Sequence, residues 1–339
     1  EPTPQEESWA REQATVDARR LVRRRGAWMI LFGAAHAMLF DSDVIGLYGL
    51  VAVVFAGWVA HKHWKRAAVV SAVIVVANVV VTFIVGSLMV SQGTTSSTAM
   101  REETDGSTVT LLSYISDGLT SWAGGTVRGA LLSMVVPAMF LGARLADTDL
   151  IAHPERHRRL LTVVGLGGLG LGAVGGIAIA VQATGGPLVV WAVSFDRVAG
   201  LVGACGWLAL LALYAAGGPR ADGRLTGLRK LASNVGRRSM TAYLSQSFLF
   251  AAVFLALPAL TGIELHLGEA RAAGIAAAVW LATVGLCAAL ERGGHAGPFE
   301  TLLRTAVARS ERRRRLPAAP VAVASTDPVA TPDAYDLVH

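Results

Sequence analysis

The chain has 339 residues, 53% of them hydrophobic and only 16% charged, with a mean hydropathy of +0.51. Soluble domains carry about 25% charged residues, and here the charges gather in short clusters between long apolar runs, which excludes a water-soluble globule. The net charge of +6 and pI near 9.8 would suit nucleic acid, but the cations fall between apolar runs rather than along one basic face, so no nucleic-acid partner is expected.

Taken in chain order, residues 1–25 read as a cytoplasmic amphipathic segment ending in Arg23, Arg24 and Arg25. Apolar runs then predict membrane spans at 26–40, 44–60, 67–90, 126–143, 160–182, 197–216, 239–260 and 271–290. Most reach the roughly 17–25 residues that cross a hydrocarbon core. The first is short, and Asp41-Ser42-Asp43 ends it at an external turn. The expected fold is an all-α, polytopic transmembrane helical bundle of about eight spans, in contact with the lipid bilayer. Its first four spans occupy 26–143, with an external loop at 91–125 whose second half, 109–122, is amphipathic enough to lie on the outer interface. The last four spans and a short cytoplasmic helix occupy 144–307, and 308–339 reads as a disordered basic tail.

If the amino end is cytoplasmic, all but Arg101, Arg128, Arg197 and Arg271 of the 30 Lys and Arg residues fall on the inner side. Every second connection is then basic, as in a multi-pass protein of the cell membrane with both ends of this chain cytoplasmic. The fifth span contains Gly165-x-Gly167-x-x-Gly170, formally a dinucleotide fingerprint. No strand precedes it and no acidic residue follows about twenty positions on. Gly168, Gly172 and Gly176 share a face there, predicting close approach of a neighbouring helix or of a second copy in a homo-oligomer. Cys205 and Cys287 lie at different depths in their spans and give neither a disulfide nor a metal framework.

The groups able to carry chemistry are few. On a helix at about 100° per residue, Ser239, Tyr243, Gln246 and Ser247 form a polar stripe at the start of an otherwise apolar span. His36 lies within the first span, and if the helix continues, Asp43 is nearly eclipsed with it, so that the carboxylate orients the imidazole as a general base. Tyr48 follows on the next span and is expected to line the same pocket. Arg237 and Arg238 open the stripe's helix, a suitable place for a phosphate or carboxylate. In Gly297-Pro298-Phe299-Glu300, Pro298 and Glu300 suit a helix start, and Glu300 can pair with Arg304 as a structural clasp.

These stretches resemble the YeiB-like bacterial membrane proteins, catalogued as domain of unknown function family 418. Arg24-Arg25-Gly26, His36 and Asp43 to Tyr48 resemble the family's "RR…GxxH…DIL…YG" region. Gly236-Arg237-Arg238-Ser239-Met240-Thr241-Ala242-Tyr243-Leu244-Ser245-Gln246-Ser247 resembles "GRMALTNYLxQS", and Gly297-Pro298-Phe299-Glu300 to Arg304 resembles "GPLEWLWR". Pro137 to Gly142 is similar to its "LLG" span. Ala242 stands where the family usually has Asn, and Thr301 and Leu303 where it has Trp. Family members usually carry further spans upstream, so this chain is expected to lack N-terminal helices.

The family is similar to transmembrane acyltransferases of the heparan-glucosaminide N-acetyltransferase type. That resemblance implies no bound cofactor, cytoplasmic acyl-CoA as co-substrate and an envelope glycan or lipid as acceptor. Arg237 with Thr241, Tyr243, Gln246 and Ser247 would hold the donor and line its path, and His36, with Asp43 and Tyr48, would activate the acceptor. A small-solute transporter using the same stripe and a non-catalytic membrane assembly protein are the alternatives.

Overall fold

The computed structural model describes residues 3–40, 43–91, 111–184, 189–216, 225–261 and 268–311, and all regular structure among them is helical. The helices are α1 (Pro4–Ala37), α2 (Ile45–Ala60), α3 (Trp64–Ser91), α4 (Leu111–Leu132), α5 (Val135–Ala146), α6 (Arg158–Ala183), α7 (Val190–Ala216), α8 (Gly227–Gly236), α9 (Ser239–Ala251), α10 (Leu257–Thr261), α11 (Glu269–Arg292) and α12 (Pro298–Arg309). A π-helical turn, Ala252–Ala256, joins α9 to α10. Pro258 has no N–H for the Phe254 carbonyl, and the wider π register absorbs that loss.

The predicted span count is too high. Among the described residues five helical stretches are long and apolar enough to cross a membrane: α3, Arg158–Gln182, α7, Ser239–Ala256 and Ala270–Arg292. A sixth is counted if α4 and α5, bent by 57° at their junction, act as one span. The predicted first and second spans instead form an antiparallel hairpin. The apolar part of α1 is the end of a single 34-residue helix whose earlier turns are charged. With 16 residues, α2 extends about 24 Å, short of a roughly 30 Å hydrocarbon core. The predicted interfacial helix and the start of the fourth span are likewise one continuous helix, α4, and the break comes at Ser133-Met134. Pro137 lacks the N–H that would have reached the Ser133 carbonyl, and Asn78 of α3 donates to the Leu132 carbonyl left open at the end of α4. Residues 92–110 of the predicted external loop and 312–339 of the predicted tail lie outside the described residues.

Two close helix contacts position everything else. In the hairpin, Gly26 faces Gly49 and Gly33 faces Gly46, and a Cβ placed on Gly33 would stand 2.5 Å from both the Asp43 carboxylate and the Gly46 nitrogen. Between α6 and α7, a Cβ on Gly168 would lie 2.7 Å from the Val202 carbonyl oxygen. Gly172 faces Gly203 across the same seam, while Gly176 faces open space. The close approach predicted for this face is therefore made by Gly168 and Gly172 within the chain. The apolar core joins α2, α3 and α5 through Leu47, Val51, Ala67, Ile74, Val136 and Phe140. Outward, α3 exposes Val69, Val73, Val76 and Phe83, an apolar band that water would not cover cheaply and that suits lipid.

The hairpin gives a direct stability test. Gly33→Ala, whose Cβ meets backbone and carboxylate rather than a flexible chain end, should cost about 1–3 kcal/mol of overpacking strain. Its thermal midpoint in detergent should fall clearly below that of Gly142→Ala, where a Cβ meets nothing within 4 Å. Equal midpoints would contradict the close hairpin.

Candidate functional site

Helix α1 ends immediately after His36, because the amides of Leu39 and Phe40 both turn back to the His36 carbonyl at 2.9 and 3.0 Å. The chain leaves the helix there and returns Asp43 to the imidazole. The contact anticipated from a continuing helix is thus made through a turn, with His36 Nδ1 2.9 Å from Asp43 Oδ1. Asp41, predicted to end the span at water, lies outside the described residues. Asp43 Oδ2 accepts from the Gly46 amide at 2.6 Å and from Trp122 Nε1 of α4 at 3.3 Å. The side chains of His36 and Asp43 are 3% and 0% exposed.

His36 Nδ1, the Gly46 amide and the Trp122 indole N–H all converge on the Asp43 carboxylate, the donor set that an ionised carboxylate calls for. An ionised carboxylate only accepts, so Nδ1 of His36 carries the proton that it donates to Asp43. Nε2 then points at Ser247 Oγ, 2.8 Å away on α9. One turn earlier on α9, the Tyr243 ring packs against the imidazole with centroids 5.3 Å apart.

The predicted stripe is therefore partly assembled at His36. Ser247 bonds to it and Tyr243 packs on it, while Gln246 is half-buried beside them and Ser239 is exposed at the helix start. Tyr48 is 50% exposed on α2 and stands outside the hydrogen-bonded group.

At the other end of α9 the two arginines divide their tasks. Arg237, expected to hold an anion, is 63% exposed and pairs with Glu291 Oε1 at 2.9 Å. Arg238 is the buried one: its Nη1 lies 2.9 Å from Glu291 Oε2, and its Nη2 donates to the His295 carbonyl at 2.6 Å. This locks the start of α9 to the end of α11 and to the chain leading into α12.

Helix α12 opens with Gly297 as its N-cap and Pro298 in its first turn. Glu300 turns both oxygens onto Thr241, accepting from its amide at 2.9 Å and from its hydroxyl, rather than pairing along the helix with the exposed Arg304. Thr241 is fully buried, and a Cβ on Gly297 would fall 1.9 Å from the Glu300 carboxylate, so glycine is required at this crossing. At its far end the helix reaches α1, where Trp28 Nε1 donates to Ser310 Oγ at 3.2 Å.

Three groups at these sites are not singled out by the sequence reading. Trp122 comes from the stretch predicted as interfacial, and the Gly46 amide is backbone. Glu291 had one faint signal, an acid at the basic end of an apolar helix.

Thr241→Val should loosen α12 by leaving the Glu300 carboxylate without its hydroxyl partner, at a cost of about 1–3 kcal/mol. Trypsin cleavage after Arg304 and Arg309 in detergent should then run faster than in the unmodified protein; unchanged cleavage would show that the pair does not hold the helix.

No curated protein and no solved structure matches the chain. Residues 145–310 match a family model described as Protein of unknown function (DUF418). That segment runs from the end of α5 to the end of α12 and contains Ser247, Arg238, Thr241 and Glu300, while His36, Asp43 and Trp122 lie before it. The chain is a multi-pass helical membrane protein whose residues 145–310 are similar to the DUF418 family.

Proposed function

We propose that this protein is a transmembrane acyltransferase that moves an acyl group from cytoplasmic acyl-CoA to a hydroxyl or amine of an envelope glycan or lipid. The observation that supports this most is the buried imidazole of His36, fixed by Asp43 through Nδ1 and presenting Nε2 to a hydroxyl at 2.8 Å. An imidazole held in one tautomer by a carboxylate is a general base for an O–H or N–H nucleophile. Intramembrane ionisable groups are costly to keep, which favours a chemical use over simple packing.

Both ends of this chain are cytoplasmic in this reading. The hairpin α1–α2 leaves from the arginines at 23–25 and returns to Lys62, Lys65 and Arg66, so it preserves the side on which the chain began. Six crossings then bring α12 to that same side. Acyl-CoA binds at the inner end of α9, where Arg237 is the exposed cation, and the acyl group approaches His36 along Tyr243 and Gln246. Asp43 and Trp122 act through His36 as positioning residues.

The test is acyl transfer or acyl-CoA hydrolysis by the purified full-length protein. Both His36→Gln and Asp43→Asn should lower the rate by roughly 10²–10⁴-fold, the usual contribution of a positioned base. Their thermal midpoints should stay close to the parent's. Solute flux in liposomes with no covalent product, or full transfer by His36→Gln, would reject the acyltransferase and leave the transporter reading.

A further inference from the structure

The contact between His36 and Ser247 carries more than a donor-binding role for the serine. We propose that Ser247 is the nucleophile, and that Ser247, His36 and Asp43 form a Ser–His–Asp relay inside the helical bundle that carries the acyl group covalently between donor and acceptor. The acyl donor's identity rests on the function proposed above; the nucleophilic serine does not.

The geometry is that of an activated hydroxyl. Ser247 Oγ lies 2.8 Å from His36 Nε2, and His36 Nδ1 lies 2.9 Å from Asp43 Oδ1. A nucleophile within hydrogen-bond reach of a base, with the base oriented by a third group, is the general arrangement for covalent catalysis. It is recognised by geometry and roles rather than by sequence order. Asp43 spends its other oxygen on the Gly46 amide and Trp122 Nε1. It therefore cannot turn to take a second imidazole proton without breaking bonds.

The serine itself departs from its neighbours. In this chain Thr82, Ser87, Thr120 and Thr162 return their hydroxyls to the carbonyl four residues earlier at 2.6, 2.8, 2.8 and 2.8 Å. This back-bond is what a hydroxyl in a helix makes by default. The same bond from Ser247 to the Tyr243 carbonyl is stretched to 3.4 Å, while the imidazole stands at 2.8 Å. The hydroxyl has been drawn off its helix and onto a base. The Tyr243 carbonyl still serves a purpose, since it receives the Ser247 proton whenever Nε2 is protonated and donating.

The step balances without a cofactor. Ser247 Oγ attacks the carbonyl carbon of an acyl thioester, its proton passes to His36 Nε2, the C–O bond forms and the C–S bond breaks. His36 then gives that proton to the departing thiolate. In the second half, an acceptor hydroxyl attacks the Ser247 ester and yields its proton to Nε2. The acyl–Oγ bond breaks and Ser247 recovers the proton. Asp43 stabilises the imidazolium in both halves.

Two reactions of the full-length protein in detergent test this. A fluorophosphonate probe should form an adduct that peptide mass spectrometry places on Ser247, absent in Ser247→Ala, reduced at least about tenfold in Asp43→Asn and unchanged in Ser245→Ala. In Ser247→Cys, iodoacetamide should alkylate the new thiol at least about tenfold faster than Cys205 or Cys287, because the imidazole draws off its proton. A serine that only joins two helices predicts neither reaction, and failure of both overturns the proposal. Transfer that survives in Ser247→Ala but is lost in His36→Gln also overturns it, while leaving the acyltransferase reading intact with direct attack by the acceptor. Labelling at Ser247 with no acyl transfer to any acceptor supports the nucleophile and removes the acyltransferase reading.

Discussion

The site depends on how closely α1 and α2 approach at Gly33 and Gly46. With backbone against backbone at that level, the chain can turn over within a few residues of His36 and bring Asp43 back to the imidazole. A side chain at Gly33 would stand where the Asp43 carboxylate and the Gly46 nitrogen now meet. The same close approach lets the Gly46 amide, in the first turn of α2, serve Oδ2, so one steric allowance supplies both the position of the carboxylate and a donor to hold it. From the other side, Gly118 lets α4 lie against the Ala37 carbonyl, and Trp122 follows one turn later to complete the shell around Asp43. The packing of three helices at glycine is thus converted into the orientation of one carboxyl group.

The serine has to arrive at the right height on a different helix, and the inner end of α9 sets that height. Arg238 ties its start to Glu291 and the His295 carbonyl, and Thr241 ties its first turn to Glu300. Neither contact touches His36, but α9 runs unbroken from them to Ser247, about two turns further on. Helix α12 closes the loop, because it holds Thr241 at one end and reaches Trp28 of α1 at the other. Helix α1 carries His36. The base and the hydroxyl therefore sit on helices braced against each other by a third, and the stacked rings of Phe248 and Phe299 fill the space between two of them. Buried ion pairs contribute little net stability once desolvation is counted. Arg238 and Glu291 are better understood as fixing register than as adding strength.

Much of this was legible in the sequence, for reasons that are physical rather than statistical. Polar residues on an apolar helix declare themselves, which is why His36, Tyr243 and Ser247 stand out without any coordinates. Their mutual contact does not, because His36 and Ser247 are 211 residues apart and no local period links them. The link from His36 to Asp43 was legible in outcome and wrong in route: helical geometry predicts eclipsed side chains, and a turn produces the same meeting. Tyr48 shares a motif with Asp43 but is half-exposed on α2. The span count failed where hydropathy fails in general. A run of 16 or so apolar residues is compatible with a crossing helix and with a shorter hairpin arm, and only packing separates the two. Arg237 and Arg238 look equivalent in sequence; their difference appears only once Glu291 and the His295 carbonyl arrive from elsewhere in the chain.

Hydrogen-bond satisfaction separates the relay from ordinary polar packing. Several buried polar groups among the described residues leave an atom without a partner, including Asn78 Oδ1, Thr126 Oγ1 and Asn234 Oδ1. His36 and Asp43 do not: both ring nitrogens and both carboxylate oxygens are engaged. A hairpin tip of apolar residues would pack without any of these bonds, and exchanging buried polar groups for apolar ones of similar shape is often neutral. A fully satisfied polar cluster fixes geometry at some risk to stability, and what it fixes here is direction. With Asp43 saturated, the Nδ1 proton has nowhere to go. The proton that can move in this cluster is the one between Ser247 Oγ and Nε2, and the hydroxyl stands nearer that nitrogen, at 2.8 Å, than the Tyr243 carbonyl of its own helix, at 3.4 Å.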